Sequence, residues 1–477
     1  MPHMILKFTK SIIKGLEKGA QSSFATIKEN LDYKHLGMLC LYLGIIFSFF
    51  QINAAITEDI QWSGRFNPYT TFQIHLSDLM FLLTIIFYGL HTLTNSKRIF
   101  LTTGNNQSRI MIAGIFLFVL ISYFFSINKG VTFFWIVQFL KLLIVYLIII
   151  NRLISEKKLI MLILWCLSLQ VGIAVVQFIA QGSIGLGILG ESHLGPTVLN
   201  TAKIDLAGTQ IIRPYGTLSH ANILGGLLSI GFLLSGYLYL TGQLTKRLMY
   251  TFGMIFGIGL ILSFSRSAWL ATLVSIIIFL AFRRFKIPYT SIRNSMLSLL
   301  GIIFISHLTG ILNLVLTRLN IINGSGILSD PSVTTRLEQI KTSFSTMIHH
   351  PFGVGLGNYT NAAGKFSPEN LMPWEFEPAH NVFLLIGTEL GVTAMLALII
   401  CLALALWRLF ETVKQTQGKY RCFPLYFVII MLSHLFILCS LDHYFYTNYS
   451  ATIFLMAILG ILTNYLINLE DSGVSLG

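Results

Sequence analysis

The chain has 477 residues, 54% hydrophobic and 11% charged, with a mean hydropathy of +0.74. A water-soluble domain carries roughly 25% charged residues, so the composition excludes a soluble enzyme or binding module. The formal charge of +13 would suit a nucleic-acid partner, but its placement along the chain assigns it to membrane orientation and leaves no need for nucleic acid.

The first element is basic. In 4-MILKFTKSIIKGLEK-18, Lys7, Lys10, Lys14 and Lys18 share one helical stripe, while Ile5, Phe8, Ile12 and Leu16 lie elsewhere. Residues 1–35 thus read as a cytoplasmic amphipathic segment on anionic lipid, or equally as a basic tail that only fixes topology. The first apolar run starts too far in, and lacks the small-residue pattern, for a cleavable signal peptide.

Runs of about 20 apolar residues then recur, the length a helix needs to cross a bilayer. Hydropathy predicts an all-α polytopic membrane protein of about 12 transmembrane helices. They fall near 36–56, 74–94, 110–127, 131–151, 159–180, 221–241, 248–264, 267–282, 295–317, 380–407, 423–441 and 447–467. With a cytoplasmic amino terminus, 22 of the 32 Lys and Arg fall in inner segments and nine in outer ones. That excess is the positive-inside signal, and it places both termini in the cytoplasm. Cys40, Cys166, Cys401 and Cys439 lie in or beside spans and Cys422 in an inner loop, which argues against a disulfide framework. No Cys/His spacing suggests zinc, and no metal or cofactor is expected.

Two outer segments are long. One, 181–219, is rich in glycine. The other, 318–379, separates spans 1–9 (36–317) from spans 10–12 and the cytoplasmic tail (380–477). Within it, 334-TTRLEQIKTSFSTMIHH-350 places Leu337, Ile340, Phe344 and either Met347 or Ile348 on an apolar stripe, with Thr335 and Glu338 as a capping box. An amphipathic helix at the membrane mouth is predicted there, stopped by 350-HPFGVGLGN-358.

Spans six, eight and ten run inward, so their amino-terminal ends face out. Arg213 precedes span six in 213-RPYGTLSHANILGG-226, where Ser219 is the predicted cap. Arg266 opens span eight in 263-SFSRSAWLA-271, His380 opens span ten, and Arg336 lies in the first turn of the loop helix. Helix amino termini disfavour cations by a few tenths to about 1 kcal/mol. One membrane-edge arginine is ordinarily an interfacial anchor, and a lone histidine there a cap. Three arginines on the charge-depleted side fit a bound anion, since free N–H groups and guanidinium forks both grip phosphate. Gly387 and Gly391 share the helical face of His380 and would let another helix approach closely. A neutral imidazole among cations is what a general base for a sugar hydroxyl requires.

At these residues the chain resembles the O-antigen ligase and polymerase superfamily of bacterial membrane glycosyltransferases. The resemblance rests on 213-RPYGTLSHANILGG-226, 265-SRSAWLA-271, 336-RLEQIKTSFSTMIHHPFGVGLGNY-359 and 380-HNVFLLIGTELGV-392, while the first five spans match in hydropathy alone. It implies a GT-C-like fold with a long helical outer loop between helices nine and ten. It also implies a metal-independent, inverting transfer of a glycan from a polyprenyl-diphosphate donor to a glycolipid, glycan or protein hydroxyl. The site faces outward from the bacterial inner membrane. Arg266, Arg336 and His380 would be catalytic, and Arg213, His220, Asn222 and Asn381 would bind substrate. The ligase pattern of His, Asn and a later Gly is met by His380, Asn381 and Gly391, but its last position is Ala394 here, which leaves a polymerase open. A transporter or lipid flippase is the rival class. It would need ionisable groups in the spans, and Lys141 and Glu389 are the residues that qualify.

Overall fold

In lipid every backbone N–H and C=O must be satisfied within the segment, which turns long apolar runs into helices. The computed structural model describes residues 32–57, 60–61, 65–66, 69–95, 102–206, 208–281, 310–319, 331–366, 376–415 and 423–471. Helix α1 (Tyr33–Phe47) leads to strands β1 (Asn53–Thr57), β2 (Ile60–Gln61), β3 (Arg65–Phe66) and β4 (Phe72–His75). Helices α2 (Leu76–Asn95), α3 (Asn106–Phe124), α4 (Lys129–Ile150) and α5 (Glu156–Ala180) follow. After hairpin β5 (Lys203–Leu206) and β6 (Thr209–Ile212) come α6 (Ala221–Leu240), α7 (Lys246–Ser263), α8 (Arg266–Ala281) and α9 (Ile311–Arg318). Helices α10 (Pro331–His349) and α11 (Tyr359–Phe366) precede α12 (Val382–Glu389), α13 (Val392–Gln415), α14 (Phe423–Leu441), α15 (Tyr444–Thr447) and α16 (Tyr449–Asp471).

Among the described residues, nine helices are long and apolar enough to span a bilayer: α2 to α7, α13, α14 and α16. Helices α6 and α16 are the most enclosed, with 72% of each apolar stretch buried, whereas α3 and α13 have 11% buried. Within the membrane, His434 of α14 ties three helices together. Its Nε2 meets Ser229 Oγ of α6 at 2.8 Å and its Nδ1 meets Ser275 Oγ of α8 at 2.9 Å. The amino-terminal ends of α6 and α8 and the carboxyl end of α14 carry the site described below. Two compact units are distinguished by their contacts, one made of Tyr33–Gly44 with Asp78–Asn95, the other of Ile45–Ser77 with everything after residue 101.

The structure corrects several expectations. The all-α reading missed three antiparallel pairings, β1 with β4, β2 with β3, and β5 with β6. The β5–β6 turn is local chemistry: Asp205 Oδ1 accepts from Gly208 N at 2.7 Å, and Gly208 sits at φ +88. Predicted span ten is two helices, broken at Gly391 (φ +100), where Val392 N donates to Pro351 O at 3.0 Å. The loop helix starts at Pro331, so Thr335 and Glu338 lie inside it and form no capping box at its start. Of predicted span nine, residues up to 309 lie outside the described residues, as do residues 1–31 of the basic segment.

Candidate active site

The carboxyl end of α7 organises the first half of the site. Its last four carbonyls have no partner within the helix and carry partial negative charge. Phe264 turns left-handed there (φ +47), and α8 begins two residues later at Arg266. Arg213 reaches this helix end: its Nε and Nη2 both donate to Ser263 O, at 2.9 and 2.8 Å. The guanidinium therefore does not oppose the dipole of α6, as its position before that helix suggests, but satisfies the favourable end of α7. Gly225 lets the turn pack against α6, since a Cβ there would lie 2.7 Å from Ser263 Oγ and from Ser265 Cβ.

From Arg213 a buried relay crosses to α14. Its Nη2 donates to Asn222 Oδ1 at 2.5 Å, and Asn222 Nδ2 donates to Asp442 Oδ2 at 2.9 Å. His220, rather than the predicted Ser219, caps α6, its Nδ1 accepting from Asn222 N at 3.0 Å. Asp442 and His443 were not singled out from sequence. Their signal was modest, two ionisable residues in a short outer connection between spans. Burial would raise the Asp442 carboxyl, but the charges of His380, His443, Arg336 and His220 outweigh it and hold the group below its ordinary range.

The second half hangs on α10. Arg266 Nη2 donates to Ser332 Oγ at 2.5 Å, which fixes the start of α8 to the first turn of α10. Arg336 lies one helical turn further on, and Gln339 follows at the next inward position. Gln339 Oε1 accepts from His380 N at 3.1 Å and from His380 Nδ1 at 2.9 Å. The backbone donor fixes that amide's orientation, and a carboxamide oxygen only accepts. In the neutral ring Nδ1 therefore carries the proton and Nε2 presents a lone pair. The His443 ring stands edge-on to His380 with centroids 4.9 Å apart, and its Nδ1 pairs with Thr447 Oγ1 at 2.6 Å. Gly387 does allow close approach, and the approaching helix is α10: a Cβ there would lie 2.7 Å from Met347 Sδ. Asn381 caps α12 through Leu384 N and donates to Ser440 O, so both ends of its amide face the protein.

Close packing and a buried carboxylate hold the loop between α10 and α11. Gly353, Gly355 and Gly357 all have positive φ, and a Cβ on Gly357 would lie 1.9 Å from Trp135 Cδ1. Buried Glu389 accepts from Gly357 N at 2.8 Å, Tyr359 N at 3.1 Å and Tyr446 Oη at 2.8 Å. This carboxylate anchors the loop, and Lys141 Nζ lies over the Tyr449 ring at 5.6 Å. The two residues that a transporter reading singles out thus both make contacts that hold the fold together.

His380, Asp442 and His443 bring ligand atoms within 4.8 Å of one another, a spacing a cation can share. Asp442 also interacts with the charge of Arg336, and Asn222 links it to Arg213.

Residues 251–399 match the O-antigen ligase family. Three of the four stretches that carry the resemblance fall inside the match, with Arg266, Arg336, Gln339 and His380, and the stretch 213–226 lies outside it. Arg213, His220, Asn222, Asp442 and His443 lie outside it. No curated protein matches the chain. The match, together with nine helices apolar enough to cross a membrane among the described residues, points to membrane-bound polysaccharide biosynthesis.

Two histidines beside the ligase-type site give a pH signature. Burial, before any charge, pushes His220 and His443 down to about 3, with Arg213 acting in the same sense on the first and His380 on the second. Unfolded histidine titrates near 6.5. Below that pH the unfolded chain gains protons that the folded one refuses, so stability is complete above about 6.5 and falls as pH drops toward 3. The melting temperature of the detergent-purified protein should decline by several degrees between pH 7 and 5, and His443→Gln should flatten that decline.

Proposed function

We propose that this protein is an O-antigen ligase-like glycosyltransferase, moving a glycan from a polyprenyl-diphosphate carrier to an acceptor hydroxyl on the outer face of the cytoplasmic membrane, with both termini inside. The observation that carries the reading is that one outer helix serves both halves of the chemistry. Helix α10 bears Arg336, receives Arg266 through Ser332, and fixes His380 through Gln339.

In this mechanism the donor enters from the bilayer with its sugar outside. The acceptor O–H gives its proton to Nε2 of His380, and the oxygen attacks the anomeric carbon. The bond from that carbon to the diphosphate oxygen breaks, and the electron pair leaves on the polyprenyl diphosphate. Direct displacement inverts the anomeric centre. Preorganised guanidinium groups stabilise the charge that develops on the leaving group, usually the largest contribution in such sites. Asp442, ionised beside both histidines, supports the imidazolium of His380 as it forms. No step calls for a metal.

The acceptor in this reading is a surface glycolipid, as a ligase uses. The test is reconstitution in vesicles with a polyprenyl-diphosphate glycan and three acceptors: a glycolipid, a second donor molecule and a Ser/Thr peptide. Glycan on the glycolipid is the expected product. Chain growth on the second donor would make the protein a polymerase. Solute flux without any covalent product would overturn the enzyme reading.

A further inference from the structure

His380 and the pair Asp442–His443 come from separate connections of the chain, the first just before α12 and the second between α14 and α15. A direct bond joins the two segments: Asn381 Nδ2 donates to Ser440 O at 3.0 Å, one residue past His380 and two before Asp442. Two imidazoles and a carboxylate are thereby held with ligand atoms no more than 4.8 Å apart. Glycan transfer uses the lone pair of His380 and the charge of Asp442, and gives His443 no task.

Each of the three side chains is oriented by a second contact, as the ligands of a bound metal are. His380 Nδ1 donates to Gln339 Oε1 at 2.9 Å. His443 Nδ1 meets Thr447 Oγ1 at 2.6 Å, and that hydroxyl donates to His443 O at 3.3 Å, so it accepts from the ring. Both neutral imidazoles therefore keep the proton on Nδ1 and present Nε2 as a lone pair, a form in which histidine binds metal. The Tyr69 ring stands edge-on to His443, with centroids 6.1 Å apart, and limits its rotation. Asp442 is 4% exposed; its Oδ1 accepts from His443 N and its Oδ2 from Asn222 Nδ2, both at 2.9 Å. A carboxylate oxygen takes about two such contacts, so each keeps a lone pair for a metal.

Ligand type and charge choose the ion. Two imidazole nitrogens with one carboxylate suit zinc and its neighbours, which accept three protein ligands and leave a position open. Magnesium and calcium prefer shells of oxygen. The charges of Glu377 and Asp442 both reach Tyr69, so a second carboxylate adds negative charge on this side. Arg336, whose charge acts on Asp442 and His443, opposes a dication and keeps its hold short of that of a closed structural site.

Resting on the reading of His380 as the base, we infer that His380, Asp442 and His443 form a reversible site for a zinc-class dication, and that the bound ion stops glycan transfer by occupying the Nε2 lone pair that would take the acceptor proton.

The experiment strips full-length, tag-free protein in nanodiscs with EDTA, titrates it with ZnCl₂ against a chromophoric chelator, and assays the same preparations for transfer. Wild type should bind one Zn²⁺ per chain, and excess MgCl₂ should not displace it. Losing an outer partner of a metal ligand costs about 10- to 100-fold in affinity, so Thr447→Val should weaken binding about tenfold and His443→Ala, which removes a ligand, more than about 100-fold. His443→Gln should match His443→Ala and guards against misfolding. Zinc should lower wild-type transfer about 10²-fold or more, the scale of a lost base, and EDTA should restore it. His443→Ala, compared with its own zinc-free rate, should lose nothing at the zinc concentration that silences wild type. Joint replacement of His349 and His350 by Gln, outside the cluster, should leave zinc binding and inhibition as in wild type. Zinc binding retained in His443→Ala, or lost in the His349 and His350 variant, overturns the site. Zinc that binds through His443 yet leaves transfer unchanged, or raises it, overturns the blocked base. A wild type that transfers glycan from no donor overturns the donor reading instead, and the zinc titration alone then decides the site.

Discussion

His380→Ala should reduce transfer by about 10²- to 10⁴-fold, the span a positioned general base contributes. The protein should still insert, purify and bind donor, because the His380 ring is not part of the buried relay from Arg213 to Asp442. A sharper version of the same test removes the support instead of the base. In Gln339→Leu the imidazole remains, but nothing holds the proton on Nδ1 or fixes the ring plane. Turnover should fall by about tenfold or more while the KM for donor stays near wild type, since Gln339 makes its contact with His380 and not with an arginine. Rates are read as glycan transferred in reconstituted vesicles. A His380→Ala protein that keeps a tenth of wild-type turnover would remove the histidine from the reaction, and an unaffected Gln339→Leu would remove the tautomer argument.

How much of this was visible in the chain itself depends on distance along it. Helix existence was legible almost everywhere, because a run of apolar residues in lipid has one way to satisfy its backbone. The break between α12 and α13 was not. Gly391 reads as a small residue on a helical face, and only the approach of the Pro351 carbonyl from forty residues earlier turns it into a hinge. The β5–β6 hairpin was lost for the opposite reason: four-residue strands carry little pattern, and the Gly-rich segment before them looked like loop throughout. Arg266 and His380 were legible since each stands at or just before the start of a helix, whereas Arg336, expected in the first turn of the loop helix, is the sixth residue of α10. Arg213 stands in a similar place, yet its guanidinium serves the end of α7, a partner fifty residues away that no local pattern reveals. Gln339 was hidden because an amide on an amphipathic helix looks like ordinary polar surface, and Asp442 and His443 because their neighbours come from α6 and α12.

The same asymmetry predicts the outcome at Arg266. Removing one preorganised donor from a site that stabilises a developing oxyanion costs about 10²- to 10³-fold in rate. Arg266→Ala should lose that much, mainly in kcat, because charge on the bridging oxygen grows as the glycosidic bond breaks and the guanidinium is worth more then than in the ground state. Arg266→Lys keeps a charge but has no fork, so it cannot hold Ser332 and a phosphate oxygen together and should recover only a part of the rate. The Ser332→Ala variant separates the two tasks: it frees the guanidinium from α10 while leaving its charge, so donor binding should persist and turnover should fall. If Arg266→Ala raised KM alone, with kcat intact, the arginine would be a tether for the donor, and stabilisation of the leaving group would have to come from Arg336.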